Sequence, residues 1–193
     1  MTDQCTVLIV DDNTEDCTTY RRYLTQDRGE EVYGVVVAHT GHEALRLFEE
    51  KVPDCVLLYH MMPDMDGLKV LASLRDSEGK VTCPVLMLTG SANPWVAVKA
   101  IKGGAEDYLI KEDVTSETLR CAIANAIEKR ASQQMLEESH AQFEAAFTDA
   151  AIGMALVAPD GRWLRVNPAF TSLLVQFHLR SCGQILFRVN YRA

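Results

Sequence analysis

Residues that could take part in chemistry stand at the ends of four short apolar runs of the chain. Asp11 and Asp12 follow the first of these runs, Thr89 ends another, and Lys111 follows the last. An acidic pair, a hydroxyl and an ammonium group together suit a divalent cation and a phosphoryl group. Tyr59 ends the remaining run, where this set calls for an aspartate to carry the phosphoryl group. The predicted site therefore has a phenol in place of its reactive carboxylate.

These side chains must be positioned by apolar runs that alternate with amphipathic stretches. The continuous apolarity of the runs is typical of strands that are covered on both faces. Strands that alternate with single helices predict right-handed crossovers and a parallel sheet. Ligands of such sheets bind outside the carboxyl ends of the strands, where all the candidate residues lie. The predicted strands are residues 6–10, 34–38, 55–58, 85–89 and 107–110.

Local signals mark where the intervening helices begin. Asn13 or Thr14 is expected to cap the first helix, because short polar side chains accept hydrogen bonds from the first-turn amides. Thr40 and Glu43 have the spacing of a capping box at the start of the second helix. Thr115 or Ser116 is expected to begin the last helix of this unit.

Composition excludes several classes of protein. With 193 residues, 48% hydrophobic and 24% charged, the chain is predicted to be globular. A net charge of -8 disfavours contact with the nucleic-acid backbone, so no nucleic-acid partner is expected. No apolar run reaches the ~18 residues of a membrane span, so no membrane association is expected. The six cysteines include no C-x-x-C pair and are predicted to be reduced and mostly buried, as in a cytoplasmic protein.

The pattern changes after residue 130. Residues 131–147 are polar and favour a helix, and they are interpreted as a helical linker that extends the last helix. Residues 152–157 and 162–166 predict a hairpin, and Pro168 is expected to begin a short helix. Residues 175–193 show no clear periodicity and are interpreted as an unassigned tail, with disorder as one possibility.

Residues 5–130 resemble the receiver domain of two-component response regulators. The resemblance rests on the acidic pair, the loop of residues 62–67 (Met-Pro-Asp-Met-Asp-Gly), Thr89-Gly90, residues 104–108 (Gly-Ala-Glu-Asp-Tyr) and Lys111, all in the family's order. It implies an α/β fold of three layers, flavodoxin-like and doubly wound, with a five-stranded parallel sheet in the order 2-1-3-4-5. The receiver is expected to span residues 1–130.

The resemblance also implies a role for each residue of the site. Tyr59 occupies the phosphoacceptor position, four residues before the proline of the Met-Pro motif. Asp11, Asp12 and the backbone carbonyl of Met61 would bind magnesium. Thr89 and Tyr108 would form the conformational switch. Thr89 and Lys111 would contact the phosphoryl group.

Tyrosine in the acceptor position changes the expected chemistry. Phenols and aspartate carboxyls have reference pKa values of ~10 and ~3.9, so a phenol offers a metal no anion at neutral pH. Magnesium is therefore expected to bind weakly, and Lys111 is expected to pair directly with the two acids. A phosphorylated phenol would be a stable ester and not the labile anhydride that a relay requires.

A second resemblance covers the C-terminal part of the chain. Residues 138–174 resemble the start of a PAS sensor domain, and the PAS-like segment itself is placed at residues 148–174. A complete PAS domain needs roughly 100 residues, so this α+β fragment is expected to be partial. The departure from the family pattern at Val175 suggests a change of reading frame or a truncated gene product.

Three functions follow from these observations. The first is a cytoplasmic phosphorelay receiver that is not phosphorylated, is not an enzyme, binds a histidine kinase or phosphotransfer protein, and forms a homodimer through the C-terminal helix. The second is a variant of an ordinary phosphoaccepting receiver from a larger sensor kinase or cyclase. The third is a phosphatase of the haloacid-dehalogenase type, which is disfavoured because that class places its aspartates two residues apart and Asn13 stands there.

Overall fold

The computed structural model describes residues 5–25, 33–76, 79–90 and 94–180. They form two compact units that divide after Gln133. The first unit is a parallel sheet of five strands in the order β2-β1-β3-β4-β5, which confirms the predicted topology. Its strands are β1 (Thr6–Val10), β2 (Gly34–Ala38), β3 (Cys55–Tyr59), β4 (Val85–Thr89) and β5 (Asp107–Ile110).

Helices cover both faces of this sheet, as the doubly wound fold requires. They are α1 (Thr14–Thr25), α2 (Gly41–Lys51), α3 (Gly67–Ser73), α4 (Pro94–Lys102) and α5 (Ser116–Asp149), with a short 3-10 helix at Lys111–Asp113. The central strands are apolar along their whole length because each face meets a helical layer. Leu57 faces the layer of α1 and α5, whereas Leu58 faces the layer of α2, α3 and α4. Each such buried side chain stabilises the fold by about 1.5–3 kcal/mol.

Side-chain caps fix where three of the helices begin. Asn13 caps α1 by accepting a hydrogen bond from the backbone amide of Glu15 at 2.9 Å. Thr40 accepts from the amide of Glu43 at 3.2 Å, as the capping box predicts. Asp66 caps α3. All three caps follow strands, so they determine how each helix leaves the edge of the sheet where the candidate site lies.

Helix α5 continues without a break into the second unit, where the sequence predicts a helical linker. An antiparallel hairpin of β6 (Ala155–Val157) and β7 (Trp163–Val166) follows, and then α6 (Pro168–Arg180). Helix α6 includes the first six residues of the segment that sequence reasoning left unassigned. Residues 181–193 lie outside the described residues.

Asn167 joins the parts of the second unit. Its side chain is fully buried and accepts hydrogen bonds from the amides of Met154 and Phe170, at 2.8 and 2.9 Å. Its amide group donates to the carbonyl of Ile152 at 2.9 Å. One side chain thus ties the chain before β6 to the first turn of α6.

The predicted burial of the cysteines is found at two of the five that the structure describes. Cys17 and Cys55 are buried, Cys5 and Cys83 are partly buried, and Cys121 is exposed; all five are free. Cys182 lies outside the described residues. Among the helices that the structure describes, none has both the length and the apolarity to cross a bilayer.

Candidate functional site

Asp11 is held at the end of β1 mainly through its backbone. Its N–H donates to the carbonyl of Ala38 at 3.1 Å, and its carbonyl lies 3.1 Å from Nδ1 of His39 and accepts from Sγ of Cys17 at 3.3 Å. The carboxylate is fully buried, and Oδ1 accepts from the amide of Asn13 at 3.0 Å. Oδ2 is left to face a cation.

That cation is the ammonium group of Lys111. Its Nζ lies 2.6 Å from Oδ2 of Asp11 and donates a hydrogen bond to Oδ2 of Asp16 at 2.7 Å. The lysine side chain is only 14% exposed, so solvent screens these ion pairs weakly. The structure therefore brings together the side chains of two residues that follow the first and last strands, Asp11 and Lys111.

Asp16 is a site residue that sequence reasoning missed. It lies in the first turn of α1, which leaves the same edge of the sheet. The sequence signal that points to Asp16 is an acidic side chain five residues after Asp11, in the first turn of the helix that follows β1. Asp12, which was expected to pair with Lys111, is instead exposed, and the described ion pairs of Lys111 are with Asp11 and Asp16. Successive side chains at a strand end point in opposite directions, which explains the difference.

Tyr59 closes the site from the side of β3. Its ring lies over Lys111, with Nζ 3.5 Å from the ring centroid. A cation held over an aromatic face is attracted by the ring quadrupole, by about 2 kcal/mol when desolvated. The hydroxyl reaches toward the end of β4, because a methyl group added at Gly90 would lie 3.6 Å from it. The phenol thus extends from β3 across to the residue that follows Thr89.

The loop after Tyr59 packs closely against it. A Cβ atom at Gly67 would lie 2.5 Å from the carbonyl oxygen of Tyr59 and 3.0 Å from Cα of His60. The amide of Gly67 donates to the carbonyl of His60 at 2.8 Å. Glycine at this position lets α3 begin directly against the backbone of Tyr59 and His60.

Asp64, in the same loop, connects it to the start of α2. Its carboxylate accepts hydrogen bonds from the amides of Gly41 and His42, at 3.0 and 3.1 Å, and lies 2.8 Å from Nδ1 of His42. The hydrogen bond from Gly41 is the main reason that the pKa of Asp64 is lowered. The anion also interacts favourably with the N-terminal end of the helix dipole.

Burial and ion pairing shift the pKa values of Asp11 and Lys111 in opposite directions. Burial raises the pKa of Asp11, and the hydrogen bond from Lys111 offsets this only in part. Burial alone would lower the pKa of Lys111, but its hydrogen bonds to Asp11 and Asp16 outweigh it and the pKa is raised. The lysine is therefore firmly cationic, and the acid depends on it.

The remaining predicted residues border this arrangement. Thr89 is buried at the end of β4, and its neighbour Gly90 faces the Tyr59 hydroxyl. Tyr108 lies on β5 and packs against the α2–α4 side of the core. The Met61 side chain is exposed, in the loop after β3.

These residues do not fit a magnesium site of three acids. The ammonium of Lys111 already lies against the buried oxygen of Asp11, and the side chain that faces this ammonium from β3 is the ring of Tyr59, not a carboxylate. Over the described residues, no three His, Cys, Asp or Glu side chains are grouped so that they could hold a metal ion. The charge of Asp11 is balanced from within the chain.

Comparisons with known proteins agree with this fold. A family model described as the response regulator receiver domain matches residues 7–124. The chain is 38% identical over 140 residues to the transcriptional regulatory protein ZraR of Salmonella typhimurium, which covers 71% of the chain but only 30% of that protein. It is 31% identical over 182 residues to the transcriptional regulatory protein KdpE of Mycobacterium tuberculosis (strain ATCC 25618 / H37Rv), covering 94% of the chain and 76% of KdpE.

A solved structure gives the same result. The response regulator receiver domain protein of Clostridium thermocellum is 29% identical, with a TM-score of 0.59, over 67% of the chain and 98% of that structure. The names of the two curated relatives are at odds with the expectation of no nucleic-acid partner, which rested on overall charge alone. The chain spans less than a third of the length of ZraR.

Proposed function

Because the chain belongs to the family of response regulator receiver domains, we propose that it is a phosphorelay receiver that does not accept a phosphoryl group. The observation that carries the proposal is the Tyr59 ring, which lies over the Lys111 ammonium at 3.5 Å. Phosphoryl transfer depends on a positioned nucleophile with cations that balance the moving charge. Here the nucleophile's position holds an aromatic ring, and the ammonium is engaged with Asp11 and Asp16.

The module then acts by protein–protein interaction and not by catalysis. Receiver domains interact with histidine kinases or phosphotransfer proteins. The strand order of the receiver fold in this chain supports a partner surface at the edge of the sheet formed by the ends of β1 and β3 and the loop after Tyr59. Binding without transfer would make the chain a competitor for the partner's phosphoryl-donating face.

Phosphorylation of three matched chains tests the proposal. The wild type, Tyr59→Asp and Tyr59→Asn would each be incubated with a small acyl phosphate donor and magnesium. Intact-mass measurement would then be repeated after hydroxylamine treatment. We expect no hydroxylamine-labile adduct on the wild type or on Tyr59→Asn, since neither has a carboxylate at this position. A single labile adduct on the wild type would overturn the proposal.

A second candidate function is a variant of an ordinary phosphoaccepting receiver. It is favoured by the preserved contact of Asp11 with Lys111 and by Thr89 at the end of β4. A single base change converts an aspartate codon to a tyrosine codon. On this hypothesis Tyr59→Asp becomes phosphorylated, whereas a folded Tyr59→Asp that gains no adduct argues against it.

Magnesium is expected to bind weakly to the wild type. If it binds, Asp11, Asp12 and the backbone carbonyl of Met61 would hold it, as in the family. In Tyr59→Asp the added carboxylate raises the number of acids, so magnesium affinity should increase. Isothermal titration of both chains with magnesium chloride measures the difference, and equal affinities would contradict this expectation.

The exposed part of α5 is the proposed surface for a homodimer. Leu136 is 72% exposed and Phe143 45% exposed, and they are one heptad apart on the helix. Leu136→Glu should therefore lower the mass measured by light scattering, whereas the control Gln134→Glu should not. A monomeric wild type would exclude the dimer.

The segment after α5 is proposed to be the start of a PAS-like domain at residues 148–174, linked to the receiver (residues 1–130) by residues 131–147. The hairpin of β6 and β7 and the buried Asn167 support a folded element there. The parent protein would be a larger signalling protein, for example a sensor kinase or cyclase. Sequencing the gene beyond this chain tests the idea: a PAS continuation in the same or another reading frame supports it, and its absence from every frame refutes it.

A further inference from the structure

The acidic end of β1 contains a cation-binding site whose occupant is part of the chain. Asp11, Asp16 and the Tyr59 ring surround Nζ of Lys111 at 2.6, 2.7 and 3.5 Å. We propose that these three side chains form a site selective for an alkylammonium ion, which Lys111 fills, and that this site replaces the divalent-cation site of the fold.

The side chains of Asp11, Asp16 and Tyr59 form three walls around Nζ, and their chemistry favours ammonium over magnesium. Two carboxylate oxygens can each accept one N–H of a primary ammonium, which has three donors. The third wall is an aromatic face, which attracts an organic cation through its quadrupole. Magnesium instead demands oxygen ligands in octahedral geometry and gives up its waters reluctantly. The Tyr59 ring therefore gives magnesium no oxygen ligand, whereas it gives an ammonium ion a cation–π contact.

Because the Asp11 carboxylate is buried, it needs a cation in this site. Asp11 is fully buried, and its Oδ2 has no hydrogen-bond donor among the described residues apart from the adjacent ammonium. A buried carboxylate without a partner is strongly destabilising. Lys111 therefore supplies from within the chain the positive charge that this edge of the sheet needs. Magnesium should then stabilise the folded state of the wild type at most weakly.

Removing the ammonium while keeping the walls tests the inference. In Lys111→Ala the three walls remain, and methylammonium or n-butylammonium chloride can enter the vacated space. We expect either salt to raise the thermal midpoint of Lys111→Ala by on the order of 5 °C at about ten times its dissociation constant. Sodium chloride and magnesium chloride of equal ionic strength should raise it by clearly less.

Lys129→Ala is the matched control. Lys129 also pairs with a carboxylate, that of Glu106, but its side chain is 59% exposed and the pair is screened by water. Its loss should produce no specific response to alkylammonium salts. Adding Tyr59→Leu to Lys111→Ala should reduce the preference for alkylammonium over sodium, because the aromatic wall is then lost.

Each outcome decides for or against the site. Stabilisation by alkylammonium but not by magnesium supports it. Equal stabilisation by magnesium would show an ordinary metal site, and no specific stabilisation by any cation would show that the walls bind nothing; both overturn it. If Lys111→Ala is unfolded in buffer, refolding on addition of n-butylammonium is the measurement. The inference does not depend on the phosphorylation experiment, which uses chains that retain Lys111.

Discussion

Replacement of Gly67 by alanine is the sharpest test of the packing around Tyr59. The added Cβ would lie 2.5 Å from the carbonyl oxygen of Tyr59, 3.0 Å from Cα of His60 and 3.1 Å from its carbonyl oxygen. All three atoms belong to the backbone, so no flexible side chain can move aside. Either the start of α3 or the end of β3 must shift.

The size of the effect follows from two opposing contributions. Overpacking usually costs about 1–3 kcal/mol, and rigid backbone neighbours place this position at the upper end. Alanine gains up to about 1 kcal/mol over glycine in a helix, which offsets part of the loss. We therefore expect Gly67→Ala to lower the free energy of unfolding by about 2 kcal/mol. With an m-value of about 1–3 kcal/mol/M, the urea midpoint falls by on the order of 1 M.

Gly90→Ala provides the matched control, because it adds the same methyl group on the other side of the same tyrosine. There the nearest atom among the described residues is the Tyr59 hydroxyl at 3.6 Å, an ordinary contact. We expect this variant to change the free energy of unfolding by less than about 0.5 kcal/mol. Urea unfolding of both variants, followed by far-ultraviolet circular dichroism, measures the contrast. If Gly67→Ala is as stable as Gly90→Ala, the reasoning from backbone contact is wrong.

Three further predictions concern other groups. The pKa of Asp64 is lower in the folded than in the unfolded state, so its stabilisation is present above the unfolded pKa of ~3.9 and is lost as the pH falls through the folded pKa. Urea unfolding should show Asp64→Ala about 1 kcal/mol less stable near neutral pH, and the difference should shrink in acid. Burial raises the pKa of Cys17 to about 11, so iodoacetamide near neutral pH should alkylate exposed Cys121 first in peptide mass spectrometry. Asn167→Ala should speed hydrogen exchange at the Met154 amide, because that amide loses its buried acceptor.

Each of these has an outcome that would count against it. If the difference in unfolding free energy between wild type and Asp64→Ala stays constant from neutral to acid pH, the charge of the carboxylate does not stabilise the start of α2. Equal alkylation of Cys17 and Cys121 in the folded chain would contradict the burial of Cys17. Unchanged exchange at Met154 would mean that Asn167 does not hold β6.

The convergence of the main site residues could be predicted because of one property of parallel sheets. All their carboxyl ends lie at the same edge, so residues far apart in sequence, such as Asp11 and Lys111, meet there. The alternation of apolar runs and helices was enough to place Asp11, Tyr59 and Lys111 together. No knowledge of side-chain geometry was needed.

The features that could not be predicted depend on how helices and side chains are oriented against the sheet. Asp16 contacts Lys111 because of how α1 is rotated against the sheet, and the packing of Cys17, Tyr20 and Leu24 sets that rotation. Asp12 has the same chemistry as Asp11, yet it is exposed while Asp11 is buried. Helix α6 is likewise capped at its start by Asn167, and it continues through Arg180 although the sequence there shows no clear apolar period.

The backbone of Asp11 has an evolutionary consequence. Its N–H and C=O are bound to Ala38, Cys17 and His39, none of which takes part in the proposed chemistry. The contacts that position this residue are thus made by groups that do no chemistry at the site. Selection on folding alone would preserve them, so the shape of this edge of the sheet would outlast the loss of any reaction there.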